Sequence, residues 1–374
     1  MNNMSDKPRF NIDKIKSLTQ KKTAAQSETT SKKTEVKKDE SKVEMIDFWG
    51  TNAAKYDEFD KAAWNKGNGY IARNSPIFSE KLEGLDSGLY MFAGESNMGK
   101  TAVTVNLLWD FCTNPENKLF GIYFSLDDSA QEAIPRIIAM DQHIPISIAA
   151  KPKRFQNLID QGDEQAEYYA EMLERRNEGI KHLKELSNHF RIEDGTTISC
   201  AEQILDYCIK AQNYVKGIDP EYDIIVCIDS LSDMVFRDKS FKSDKELNDH
   251  IAKQVKKWAV EILDIPIFGT LHLRKIEQNR RPTVADVKES GRYLYEASAL
   301  FLVHNDVSRN KQAAAIYSMS EDNQHIPVIE IDWAKNKKSS FKGRTFYNFI
   351  PDLSLTTEAS EERMDYWNKL IYSA

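Results

Sequence analysis

The sequence predicts an α/β fold: a mostly parallel, twisted sheet with helices on both faces and an antiparallel edge at its C-terminal side. Three observations predict it. From residue 88 onward, short apolar runs alternate with helical stretches, the pattern of parallel strands joined by crossover helices. The last three runs, 299–304, 325–333 and 345–349, have no long helix between them, which suits an antiparallel edge. A glycine-containing segment at residues 94–101 sits between an apolar run and a helical pattern, where a phosphate-binding turn must lie.

The elements follow in order. Residues 1–45 are rich in Lys, Ser, Thr and Glu and too poor in apolar side chains to order themselves, so a basic tail is expected. Such a tail is either a solvated arm or a tether, with 10–18 as a short docking helix. Residues 46–87 carry Phe48, Trp49, Tyr56, Phe59 and Trp64 and read as a lead-in that packs on a neighbouring subunit. Residues 88–355 form the main domain, and 356–374 a helical tail. Within the domain, strands are expected at 89–93, 119–126, 224–229 and 265–272, besides the three named above. Val103, Leu107 and Phe111 recur at helical spacing after the glycine segment. A long polar helix is expected over 155–186. Ser199 with Glu202 reads as a capping box opening a helix that ends near Val215.

Composition limits the function. The 374 residues suffice for a substantial core. Neither a membrane-crossing run nor a signal-peptide core is visible. The four cysteines, at 112, 200, 208 and 227, lack metal-ligand or disulfide-frame spacing, so a reducing, cytoplasmic setting is expected. Residues 1–45 hold eleven Lys or Arg against seven Asp or Glu, which leaves a net charge of −11 on the remainder of a chain carrying −7. Nucleic acid could then be met only through local basic loops.

Gly94, Glu95, Ser96, Asn97, Met98, Gly99, Lys100 and Thr101 spell G-x-x-x-x-G-K-[ST] in full. The glycines let the backbone curl so that successive N–H groups face a β-phosphate at the positive end of the next helix. Lys100 is expected on the β- and γ-phosphates and Thr101 on Mg²⁺. The apolar run ending in Asp229 supplies a carboxylate for the same ion through its water shell. The run ending in Ser125 leads into Asp127, Asp128 and Ser129. Asp127 is assigned to the attacking water as a proton acceptor, and Asp128 or Ser129 to capping the following helix. His272 ends another run; it is either a satisfied imidazole or a γ-phosphate contact. Arg274, Lys275, Arg280 and Arg281 follow in a basic loop, either solvated or set against a nucleic-acid backbone.

Together these segments resemble the motor domain of DnaB-type replicative helicases, the RecA-fold ring helicases, over residues 80–350. The phosphate loop, Phe-Ser-Leu-Asp-Asp-Ser at 124–129 and Ile-Val-Cys-Ile-Asp-Ser-Leu at 225–231 are similar to three ordered family motifs. Residues 281–291, Arg-Pro-Thr-Val-Ala-Asp-Val-Lys-Glu-Ser-Gly, match the family's R-P-x-x-x-D-L-R-E-S-G, and Ala-Lys-Asn-Lys at 334–337 resembles A-K-x-R. The resemblance implies a RecA-like sheet, ATP and Mg²⁺, and hydrolysis between subunits of a ring homo-oligomer, a hexamer, moving along single-stranded DNA. Asp127 stands where the family has a catalytic glutamate, His272 where many members have glutamine, and Lys337 at the arginine-finger position acting in trans. Lys335 matches a second trans-acting lysine. The resemblance places DNA-facing loops after Asp229 and His272, making Arg237, Lys239, Arg274 and Lys275 candidates. It implies a bacterial or phage replisome, with primase, polymerase or a helicase loader as partners. In place of the family's helical N-terminal domain stand the basic tail and residues 46–87, which suits a compact, phage-encoded form. The competing readings are a non-unwinding RecA-fold ATPase, as a recombinase-like filament or KaiC-like regulator, and a degenerate ATP-binding scaffold.

Overall fold

A computed structural model of the chain describes residues 50–65, 67–276, 280–287, 291–319 and 325–373. It divides into two compact units, Met1–Asn65 and Lys66–Ala374. The described part of the first is helix α1 (Gly50–Asn65), on which Tyr56, Phe59 and Trp64 are exposed. The expected tail at 1–45, with Phe48 and Trp49, lies outside the described residues.

The second unit opens with α2 (Pro76–Leu82), β1 (Gly88–Gly94), α3 (Lys100–Thr113), β2 (Leu119–Ser125) and α4 (Ala130–Gln142). Then come α5 (Ile146–Ala150), α6 (Pro152–Asp160), α7 (Ala166–Glu185), β3 (Phe190–Asp194), α8 (Ala201–Ile218) and β4 (Asp223–Asp229). The chain continues through α9 (Asp244–Lys257), β5 (Pro266–His272), α10 (Arg292–Glu296), β6 (Ala299–His304) and α11 (Asp306–Asn310). It closes with β7 (Tyr317–Met319), β8 (His325–Asn336), β9 (Arg344–Ile350), β10 (Leu355–Glu358) and α12 (Glu361–Ser373).

One sheet runs β10, β9, β8, β6, β1, β5, β4, β2, β3, with β7 beside β8. From β6 to β3 every pairing is parallel; β8, β9, β10 and β7 are antiparallel. Every residue of β1, β2 and β6 is buried, as a sheet covered on both faces requires. Alternate side chains sort the core. Leu89, Met91, Ile122, Phe124, Val226 and Ile228 meet α8 and α9 on one face. Tyr90, Phe92, Tyr123, Ile225 and Cys227 meet α3 and α4 on the other.

The predicted fold class is the observed one, with four corrections of detail. The run at 299–304 is not part of the antiparallel edge: β6 lies parallel to β1 and is the strand at which direction reverses toward β8. The long polar helix is two, α6 and α7, divided where Gly162 takes φ +73°. Ser199 does not form a box with Glu202. Its N–H and hydroxyl both donate to Gln203 Oε1, and α8 starts after Cys200. Three strands were not expected. β3 and β10 are short edge strands with polar residues, and β7 has three residues. Among the described residues, no helix is long and apolar enough to cross a membrane.

The C-terminal elements belong to the body of the unit. Trp367 of α12 is buried against Phe346 of β9, ring centres 5.4 Å apart. The Glu358 carboxylate, at the end of β10, accepts the Ile77 and Phe78 amides at 2.8 and 2.9 Å and so satisfies the start of α2. Glu358→Ala strands those donors, and we expect a loss of about 1–3 kcal/mol in urea unfolding; unchanged stability would contradict this role.

Candidate nucleotide-binding site

Strand register assembles the site. Gly94 at the end of β1 lies beside His272 at the end of β5, and Ser125 at the end of β2 lies beside Asp229 at the end of β4. All four therefore open onto the carboxyl edge of the parallel strands, where α/β sheets receive ligands. The chain leaves β1 for β2, three places away, and β5 fills the position beside β1 later.

Asp229 is the point where these elements join. Its Oδ2 accepts the Thr101 hydroxyl at 2.6 Å and the Tyr123 hydroxyl at 3.2 Å, while Oδ1 accepts the hydroxyl of Thr270. The residue is buried, and three hydroxyls fix both carboxylate oxygens. Its backbone carbonyl also accepts the Leu126 amide at 2.6 Å, so the turn leading to Asp127 hangs from the same residue. The sequence pattern marked Asp229 and Thr101 but not Tyr123 or Thr270. Their only sequence signal is a hydroxyl inside an otherwise apolar run.

The phosphate loop closes over the start of α3. Gly99 has φ +91°, and a Cβ there would come within 2.5 Å of Ile329 Cδ1, so only glycine fits both the backbone and the space. Lys100 is buried, and its ammonium donates to the Glu95 carbonyl at 2.8 Å. Burial lowers its pKa from the ordinary lysine value, while Asp229, Asp127 and Glu95 oppose that shift. A polyanion at the loop would restore what desolvation costs this ammonium.

A cleft of about 480 Å³ joins the parts, lined by Ser96, Lys100, Thr101, Asp127, Asp229 and His272 among others. Asp127 is the exposed carboxylate of the group. Desolvation, then Asp233 and Asp128, raise its pKa above the usual carboxylate value, with His272 opposing. Asp128 is held by Arg136, and Ser129 caps α4: its N–H and hydroxyl donate to Glu132 at 3.1 and 3.0 Å. Of the two expected caps, Ser129 is the one used. His272 is half-buried, and burial followed by Lys100 lowers its pKa, so the neutral imidazole is the form present near neutrality. Thr101 and Asp229 offer adjacent hard oxygen donors, the chemistry Mg²⁺ takes up with phosphates and water.

Lys335 and Lys337 lie elsewhere. Lys337 N–H donates to the Ser298 carbonyl and Ser298 N–H to the Leu89 carbonyl, which sets Lys337 level with Leu89. That is five residues back from Gly94, roughly 16 Å along the strand. Both ammoniums point at the last carbonyls of α10: Lys335 donates to Leu294 and to Tyr295, the latter at 3.0 Å, and Lys337 to Tyr295 at 3.2 Å. Lys256 lies close by, donating to Ser298 Oγ at 3.3 Å.

The basic candidates divide. Arg237 and Lys239 follow β4, Arg274 and Lys275 follow β5, and all four are exposed. Lys239 Nζ is set against His250 at 3.2 Å and lies over the Phe241 ring. Arg280 makes a two-pronged pair with Asp286, both bonds 2.6 Å. Arg281 pairs with buried Glu330 at 2.6 Å and with Asp306 at 3.2 Å, and Arg344 binds the other oxygen of Glu330 at 2.7 Å. Arg280 thus closes the loop on itself, and Arg281 ties it to β8. Of the motif at 281–291, residues 288–290 lie outside the described residues.

Comparisons with known proteins bear on the fold and the family. The fold is that of a solved ATPase domain, at 20% identity, TM-score 0.61, covering 83% of this chain and 98% of that one. It is also that of a DnaB-like replicative helicase solved for its interactions with primase, at 19% identity, TM-score 0.61, covering 93% and 72%. A comparison with curated proteins finds no match. A family model, DnaB-like helicase C-terminal domain, matches residues 75–346 of the 374, and the chain belongs to that family.

Proposed function

We propose that the chain is the motor of an ATP-driven replicative helicase that encircles single-stranded DNA as a homo-oligomeric ring, a hexamer by family likeness, and unwinds duplex. The observation that carries the proposal is the split of the site. Lys100, Thr101, Asp229, Asp127 and His272 converge on one cleft, while Lys335 and Lys337 stand far outside it in the same chain.

Each residue then has a distinct task. Residues 94–101 wrap the phosphates with backbone N–H groups, and Lys100 exchanges the Glu95 carbonyl for the β- and γ-phosphates. Thr101 and Asp229 would hold Mg²⁺, whose charge would offset the charge that develops on the phosphates. Asp127 orients the attacking water and accepts its proton, a task its raised pKa favours. Neutral His272 donates a hydrogen bond to the γ-phosphate. Lys335 and Lys337 of a neighbouring copy reach the same phosphate, Lys337 as a point charge where an arginine would offer a fork. Arg237, Lys239, Arg274 and Lys275 meet the DNA backbone, with Arg280 and Arg281 fixing the base of their loop. The exposed aromatics of α1 suit packing on an adjacent subunit. The helicase solved for its interactions with primase makes primase a candidate partner in a cytoplasmic replisome.

The direct test is turnover and strand displacement on a forked substrate. The wild-type chain is expected to show both, with turnover stimulated by single strands. Lys100→Ala should abolish both, and Asp127→Asn should retain nucleotide binding while turnover falls by about 10²-fold or more. Turnover without displacement would assign a translocase or regulator, and binding without turnover a scaffold.

Lys335 supplies a pH test. Burial, followed by Lys337 and Lys256, lowers its pKa from the ordinary lysine value to about 8. The ammonium is present below that pH and lost above it, so kcat/KM for ATP should decline as pH rises through it. Arginine stays charged there, so Lys335→Arg should remove that decline; an identical profile in the variant would exclude Lys335 from the reaction.

A further inference from the structure

Glu95, the second residue of the phosphate loop, faces two ways. Its carbonyl accepts the Lys100 ammonium at 2.8 Å. Its carboxylate turns toward the segment that follows β5, where Oε1 accepts the Ile276 N–H at 2.9 Å and Oε2 pairs with the Arg309 guanidinium. Arg309, on α11, donates in turn to the Ile276 carbonyl at 2.6 Å. One ion pair thus grips a single residue at both its N–H and its C=O. The Ile276 side chain is buried, and each member of the pair is only 16% exposed, so neither charge has enough water to replace its partner. At the other end of the segment, Leu273 N–H donates to the Gly94 carbonyl at 3.2 Å. Exposed Arg274 and Lys275 therefore lie between two points fixed to the phosphate loop itself.

We propose that Glu95 and Arg309 form a clamp through which the phosphate loop sets the position of Arg274 and Lys275. The inference rests on reading the cleft as a nucleotide site. Lys100 must leave the Glu95 carbonyl to reach phosphate, so the residue that loses this partner is the one whose carboxylate holds Ile276. A ligand shifts a conformation only through contacts that differ between its states, and this exchange is such a difference. Because the clamp engages both sides of one peptide residue, the segment follows the loop as a unit instead of stretching away from it. Glu95 and Arg309 are positioning residues: they act on DNA through the basic pair between the anchors.

The test uses the full chain with ADP and Mg²⁺, a fluorescent ADP analogue, and single-stranded oligothymidylate. In the wild type, nucleotide should change hydrogen exchange at amides 273–276, and oligothymidylate should stimulate turnover. In Arg309→Gln the exchange response should disappear and stimulation should fall about fivefold or more, while affinity for the ADP analogue stays within about twofold. Arg309→Lys keeps the charge but loses the planar fork that reaches both acceptors, and should give an intermediate response. It carries the test if the glutamine variant does not fold. An exchange response equal in wild type and variant would overturn the clamp, as would nucleotide affinity and stimulation falling by the same factor. A wild type that binds ADP without turnover would defeat the motor reading, leaving the exchange measurement to decide the clamp. One that binds no nucleotide would defeat both.

Discussion

Asp229 accepts hydroxyls from Thr101 at the start of α3, from Thr270 on β5 and from Tyr123 on β2, and the rest of the site depends on that junction. Each donor arrives from a different element, so the carboxylate is satisfied only when β2, β4 and β5 pair in one register and α3 packs on their shared face. A slip of one residue would turn every side chain of the moving strand to the opposite face. The buried carboxylate would then lose a donor, at a cost of about 1–3 kcal/mol. The same residue's carbonyl carries Leu126, so the turn bearing Asp127 is referenced to the junction as well.

Electrostatics divide the molecule into two unfinished halves. At the carboxyl edge, Lys100 is desolvated and has a backbone carbonyl as its hydrogen-bond partner, in a cleft that also holds Asp127 and Asp229. At the far end, Lys256 and Lys335 lie against Lys337, and burial followed by that neighbouring charge lowers the affinity of both for protons. Phosphate charge would relieve the first arrangement when a nucleotide binds, and under the proposed function a nucleotide held by another copy relieves the second. Level with His304 at the end of β6, Arg281, Glu330 and Arg344 lock the loop after β5 to β8, the strand whose other end carries Lys335. A buried network of this kind is rigid because removing any one member strands the others.

What the sequence revealed was what chemistry demands of residue type and spacing. The phosphate loop, the carboxylate of Asp229, and the Asp127 and His272 strand ends could be placed because a run of apolar residues followed by a polar one is visible along the chain. What stayed hidden depended on pairing across the sheet. Thr270 matters because β5 lies beside β4, and nothing in residues 265–272 states that neighbour. The parallel direction of β6 is hidden because the missing helix suggests a hairpin, whereas its partner is β1, some two hundred residues earlier by the register Tyr90 to Ala299. β3 and β10 escaped because edge strands need bury only part of their surface, so Arg191, Glu193 and Thr357 interrupt the apolar signal. Along the chain Glu95 is one member of a phosphate loop, and its link to Arg309 spans 214 positions.

Under the proposed function a working site needs two copies of the chain. Mixing Lys100→Ala chains with Lys337→Ala chains tests it most directly, since one retains the far lysine and the other the phosphate grip. If sites are shared, interfaces that pair the two intact halves form in the mixture, and its ATP turnover rises above the mean of the two variants measured alone. Turnover equal to that mean at every mixing ratio would contradict the account and confine the site to a single chain.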